Sequence, residues 1–409
     1  MNNKRITTLC LASSLLLTFG AAITPPAAAT TSNCKFNESK VSSTIESYAK
    51  KVDSEWLENS TSNTSNRGPN SSNPSALTST EQINQRVRDA ISTQGIRVAS
   101  ASSKPQIVNI SCQTDGKIAV TTEISTTFTF NYEGYGTSET PGIKSDQHVL
   151  TLSVDSSDYS VLEDKITSHE EVATPGDTPP EYDPTISNSD HPEAGQTVES
   201  SGTSVGGGTT SGTPLILPAY NTVSPDVSAM QQYALKWTSP PYDGDEKKHF
   251  NPEFDYWNNN CANFVSQVLH AGGWSYDDWG VNPHSTKFWG PDLLGPAGAS
   301  RTWTYSASQY TYVKEGAYTP LDNIWNAKPG DLLYVDWDPD GKADGLIDHV
   351  MVVTGSASRI SGTPLALYNE PLISQKTPNR SNLPLSLSIK FATEQQKTDI
   401  KWYGLQRES

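Results

Sequence analysis

No stretch of this chain is apolar for long enough to cross a membrane comfortably. The best candidate, Leu9 to Ile23, is too short, and nothing later approaches it. Basic residues are scarce: 29 Lys and Arg stand against 45 Asp and Glu, for a formal charge of −16. Nucleic-acid binding rests on Lys and Arg neutralising phosphates, so this balance argues against such partners. It also weakens electrostatic docking on an anionic envelope. No internal repeat is visible and the Gly-Gly stretches lack a phosphate-loop pattern. His249, His270 and His284 form no spaced set with Cys or acids that reads as a zinc site. Lone histidines such as His148 and His169 read as sheet or surface residues.

What is there begins with a compartment signal. Lys4 and Arg5, the apolar run and Ala27-Ala28-Ala29 are the three parts of a secretory signal peptide, with cleavage expected after Ala29. Residues 1–29 are therefore read as a leader and the protein as secreted. Cleavage removes Lys4 and Arg5 and no acid, taking the formal charge from −16 to −18. Of the 4 cysteines, Cys10 leaves with the leader. Cys34, Cys112 and Cys261 remain, an odd number, which in an exported protein reads as one pair plus one thiol with other work. Cys34 with Cys112 is the economical pairing, since both sit in the N-terminal half.

The length calls for two domains. Residues 174–222 are rich in Pro, Gly, Ser and Thr and cannot bury enough apolar surface to order themselves, so they read as a linker. Residues 30–173 read as an α+β domain of open role, with helices on a curved antiparallel sheet. Val41, Ile45, Tyr48 and Val52 have helical spacing, as do Ile83, Val87 and Ile91. Strand-like runs follow at 107–110, 118–130 and 148–154. Residues 223–405 open with a helix that Ser224 can cap and Pro225 can begin. Trp274, Trp279, Trp289, Trp303 and Trp325 read as core first and as a substrate groove second.

The stretch from Asn258 to Gly273 carries the chemistry. Asn260 is a good N-cap and supports the site locally, Gly272 is a good C′ residue, and Cys261 takes the first helical position. Phe264, Val265 and Val268 share its face, so the thiol points toward the core. A helix N-terminus carries partial positive charge and unpaired N–H groups, which stabilise a thiolate and can cradle an oxyanion. A buried structural cysteine is the competing reading. Against it stands a second element. Gly330-Asp331 opens a strand at 332–335, an acidic turn follows, and His349 begins the next strand. A cysteine at a helix start and a histidine on a later strand is the arrangement cysteine peptidases need: the imidazole pairs with the thiolate, then protonates the leaving amine.

Three motifs carry a resemblance. Cys261-Ala262-Asn263-Phe264-Val265-Ser266-Gln267 with Ala271-Gly272-Gly273, Gly330-Asp331-Leu332-Leu333 with Ile347 to Thr354, and Ile373 to Arg380 together resemble the putative amidase domain family. That family is a branch of the NlpC/P60–papain-like group, and the resemblance covers about Ser224 to Trp402. It implies a papain-like α+β fold, with the cysteine helix packed on an antiparallel sheet that carries the histidine. It also implies amide or peptide hydrolysis, with cell-wall peptides as one substrate class and no cofactor. One departure stands in the third block, where Lys376 replaces the family's histidine. A charged lysine accepts no hydrogen bond and cannot orient the imidazole. Asn369, Gln375 and Asn379 are the candidates for that role, Asn369 first and Gln375 close behind. If none serves, the chain is a hydrolase-fold binding module. Sequence does not separate hydrolysis from acyl transfer, nor does it define oligomeric state.

Asp336, Asp338, Asp340 and Asp344 follow calcium-loop spacing, but Ile347 holds the twelfth position, where a bidentate acid belongs. The stretch reads as a polar turn first and a calcium site second.

Overall fold

The structure is a computed structural model that describes residues 36–57, 78–113, 115–138, 140–154, 158–167, 221–239, 248–257, 259–277, 287–292, 298–337, 343–361, 366–394 and 400–408. The expected leader, the linker at 174–222 apart from its last two residues, Cys34, His169, Trp279, His284, Asp338 and Asp340 lie outside them. Two helices come first, α1 (Glu38–Glu55) and α2 (Ser79–Thr93), then strands β1 (Ile96–Cys112), β2 (Ile118–Tyr132), β3 (Gly136–Thr137), β4 (Gly142–Val154) and β5 (Tyr159–Ile166). The second half has helices α3 (Val227–Thr238), α4 (Cys261–Ala271), α5 (Arg301–Thr304) and α6 (Ser306–Glu315), then β6 (Tyr318–Pro320), β7 (Leu332–Asp336), β8 (His349–Ser361), β9 (Ala366–Gln375), β10 (Arg380–Pro384), α7 (Leu385–Glu394) and β11 (Lys401–Arg407). The α+β class is as expected.

Among the described residues the strands make one open sheet in the order β1-β2-β4-β10-β9-β8-β7-β11-β6, with β3 on β2 and β5 on β4. The pairings are antiparallel. The two halves of the sequence meet where β10 pairs with β4, Arg380 opposite Lys144. The described residues from Phe36 onward form one compact unit. Outer strand β1 carries Lys104 and Pro105 at its middle and, among the described residues, pairs only with β2.

The apolar runs in β7 and β8 follow from burial on both faces, which removes the need for polar alternation. Leu333, Val335, Met351 and Val353 enter one core with Trp56, Val87, Phe128, Leu385, Phe391 and Trp402. Leu332, Tyr334, Val350 and Val352 enter the other, with Cys261, Val265, Val268, Met230 and Tyr403. Helices α2 and α7 contribute to the first core, and α3, α4 and α6 to the second. The tryptophans at 274, 289, 303 and 325 are buried, so they are core.

The helix ends correct two expectations. Asp226, not Ser224, caps α3: its Oδ1 accepts the Ala229 N–H at 3.0 Å, while Ser224 Oγ donates to the Glu408 carbonyl. Pro225 thus precedes the cap. After α4, Gly272 keeps right-handed backbone and Gly273 takes the left-handed turn at φ 101. Strands β1 and β4 begin earlier than their apolar runs, because the Ser- and Lys-bearing segments before those runs also pair. Among the described residues no helix is long and apolar enough to cross a membrane, which says nothing of β-barrels.

Candidate active site

Cys261 is the first residue of α4, is completely buried and takes part in no disulfide. The helix forms there because its apolar residues at 264, 265 and 268 pack against Val350 and Val352 of β8. Polar contacts hold it in place. Gln309 of α6 donates to the Ala262 carbonyl at 2.8 Å, and Ser266 Oγ donates to the Trp303 carbonyl at 2.9 Å. Asn260 makes no side-chain cap: its Oδ1 accepts from Asn263 Nδ2 at 2.7 Å. Its backbone N–H donates to Thr377 Oγ1 at 2.9 Å.

The thiol is tied to the start of β8 through one side chain that sequence reasoning missed. Cys261 Sγ and Ser306 Oγ lie 3.3 Å apart, and Ser306 Oγ donates to the Asp348 carbonyl at 3.4 Å. The next residue is His349, buried and opposite Val335 of β7. Its ring stacks on Trp337, with centroids 5.5 Å and planes 18° apart. Trp337 is held in turn by its own N–H, which donates to Asp348 Oδ2 at 2.9 Å. Ser306 begins α6, more than forty residues from either partner. No local motif could have announced it.

The Asp336 carboxylate closes the turn before His349. Asp336 accepts the N–H groups of Asp344 at 3.2 Å and Gly345 at 2.9 Å. Burial, with a contribution from the Asp348 charge, pushes its carboxyl up to about 7. Both Asp336 oxygens are therefore engaged in the turn. Among the described residues no group of His, Cys, Asp and Glu could hold a metal ion.

Gly330 and Asp331 have clear local roles. Gly330 sits at φ 95, and a Cβ there would lie 2.9 Å from Val227 Cγ2. Asp331 accepts the Lys328 N–H at 2.8 Å and the Arg407 N–H at 3.0 Å, fixing the entry to β7 against β11.

The candidates for orienting the imidazole separate clearly. Asn369 is a correction. It pairs with Ser358, nine positions along β8 from His349, a span of about 30 Å at roughly 3.3 Å per residue. Its amide is also spent there, donating to the Trp325 carbonyl at 2.7 Å and accepting from Ser356 at 2.5 Å. Asn379 donates to the Thr238 carbonyl at 3.2 Å. Gln375 ends β9, next to Ser374, the partner of Val352. Its Nε2 donates to the Pro378 carbonyl at 3.2 Å, and its buried Oε1 has no hydrogen-bond partner among the described residues. Lys376 follows it and is buried. Thr377 takes φ 55, a left-handed conformation that costs a β-branched residue of order 1–3 kcal/mol and persists only where its surroundings enforce it. Cys112 closes β1, far in sequence from this site.

Comparison with known proteins agrees with the segment defined by these residues. Residues 224–401 match the family model described as "Putative amidase domain". The match covers less than half of the chain and suggests a hydrolase acting on amides. The chain is also similar to the uncharacterized protein YjcM of Bacillus subtilis (strain 168), with 30% identity over 162 residues, 38% of this chain. It spans only 32% of that relative's length. No solved structure matches.

Proposed function

We propose that residues 224–401 form a cysteine-dependent amidase or peptidase with Cys261 as nucleophile and His349 as general base and acid. The observation that carries this reading is the Cys261–Ser306–Asp348 contact chain, which joins a thiol at a helix N-terminus to the strand start bearing His349. In this reading the thiolate attacks the substrate carbonyl, and α4 N–H groups receive the oxyanion. The imidazolium formed from the thiol proton then protonates the leaving amine, and the C–N bond breaks to leave a thioester. His349 next takes a proton from water, whose oxygen displaces the thiolate and releases the acid. Gln375 Oε1 is the acceptor best suited to orient the imidazole, as an amide does in papain-like triads. With the leader expected at residues 1–29, this reading makes the protein a secreted one acting on peptides, cell-wall peptides among them.

Iodoacetamide tests the reading. Cys261 should react faster near neutral pH than the same thiol in the denatured chain, and His349→Ala should slow it. A thiol of ordinary reactivity, indifferent to His349, would sink the proposal. The complete burial of Cys261 and the lysine at 376 favour a second reading, a non-catalytic hydrolase-fold binding module. That reading requires the slow thiol.

A further inference from the structure

The segment 376–381 touches the candidate active site at one end and the N-terminal half of the chain at the other. At the first end, Thr377 Oγ1 accepts the N–H of Asn260, the residue immediately before Cys261. Thr377 is also the residue held at φ 55, so its backbone must be enforced from outside. At the other end, Arg380 enters β10 and meets β4. Arg380 Nη2 donates to Asp146 Oδ1 at 2.8 Å, and Nη1 donates to the Ser145 carbonyl at 2.7 Å. The Ser145 N–H donates to the Asn379 carbonyl at 3.0 Å. Asp146 is completely shielded from solvent and also pairs with Lys144, whose ammonium lies 4.4 Å from the centre of the Phe391 ring. Removing either partner of a buried charge pair leaves the other uncompensated, so the contact between Arg380 and Asp146 is costly to break.

We propose that Asp146 and Arg380 are positioning residues, through which the N-terminal half holds the 376–381 turn and, by way of Thr377, the first turn of α4 in the geometry that Cys261 needs. The inference rests on Cys261 being the nucleophile. It gives the N-terminal half a part in the chemistry without contact with the substrate. Neither residue reaches the reacting atoms; both act through the Thr377 hydroxyl and the Asn260 peptide.

The test uses the full chain and reads the pH profile of Cys261 alkylation by iodoacetamide, followed by mass spectrometry of the Cys261 peptide. Asp146→Asn and Thr377→Val are expected to lower the rate about ten- to a hundred-fold near neutral pH and to move the profile to higher pH. Thr377→Ser keeps the hydroxyl and should restore the wild-type profile. Arg359→Met breaks a different buried ion pair, Arg359 with Glu370, and controls for general destabilisation. It should lower the melting temperature and leave the profile where it is. Should Asp146→Asn fail to fold, Arg380→Lys and Thr377→Val read the same quantity. If the wild-type thiol is activated and these variants keep its profile, the positioning role is wrong and the amidase reading stands. If the wild-type thiol is not activated, the amidase reading itself falls and this inference with it.

Discussion

At the scale of single residues, the site divides into what local pattern can announce and what only folding can assemble. Cys261 was legible because a helix N-terminus has a local signature: a cap residue, then apolar residues at helical spacing. His349 was legible because it opens a short apolar run after an acidic turn. Ser306 was not, because its place beside the thiol comes from packing of α6 on α4. The third polar residue was misread for a related reason. Asn369 looked suitable on its strand, yet only the β8–β9 register reveals that it pairs with Ser358. Two outcomes follow for turnover of a peptide amide. His349→Ala should reduce kcat/KM by about 10²–10⁴-fold, the usual share of general acid–base catalysis. On the proposed role of Gln375 as orienter of the imidazole, Gln375→Leu should reduce kcat by a smaller factor with little change in KM. Steady-state kinetics separates the two, and an unchanged kcat for Gln375→Leu removes Gln375 from the site.

At the scale of elements, caps and cores make the clearest expectations. Asp226 accepts the Ala229 N–H at the start of α3, so Asp226→Ala should cost about 1 kcal/mol in urea unfolding. Ser224→Ala should cost less, because Ser224 makes no cap there. Thr78 does more than cap α2: it completes a capping box with Glu81, and its Oγ1 also meets the Tyr48 hydroxyl at 2.9 Å. Met351 points into the core beneath α7 and is fully buried, so Met351→Ala should cost about 2–5 kcal/mol. The helices at 38–55 and 79–93 were readable from their apolar spacing. The starts of β1 and β4 were not, because their Ser, Lys and Gln residues carry no period that marks them as paired. Nor did composition reveal that β4 and β10, drawn from opposite sides of the Pro/Gly/Ser/Thr-rich stretch, hydrogen-bond in one sheet. Sheet partners are a matter of long-range register, which local pattern does not encode.

At the scale of the whole molecule, charges buried between distant segments decide how stability responds to pH and mutation. Burial and the nearby Glu81 charge raise the Glu55 carboxyl from 4.5 to about 7. The folded chain therefore holds this proton more tightly than the unfolded chain does. The Glu55 contribution favours folding below about pH 4.5, weakens as pH rises toward 7, and is flat above. Glu55→Gln should accordingly flatten the fall of melting temperature across that window, which calorimetry at several pH values would measure. The Arg359–Glu370 pair is wholly buried, and Arg359 also donates to the Gln94 carbonyl after α2. Arg359→Met alone should cost about 3–5 kcal/mol, whereas Arg359→Met with Glu370→Leu should recover much of that loss. Chemical denaturation of the single and double variants gives both values.

The outer strand β1 has a further meaning at this scale. A sheet that ends in a strand of 17 residues offers a long row of backbone groups to any other extended chain. Pro105 interrupts that row, since it has no N–H to lend, and Lys104 beside it adds a charge that an incoming strand would have to bury. Two register shifts, near Val98 and near Ile107, bend the strand away from flatness. The protein thus guards its own margin against fibre growth, and a Lys104→Val, Pro105→Val double variant should scatter light on standing at concentrations where the natural chain stays clear.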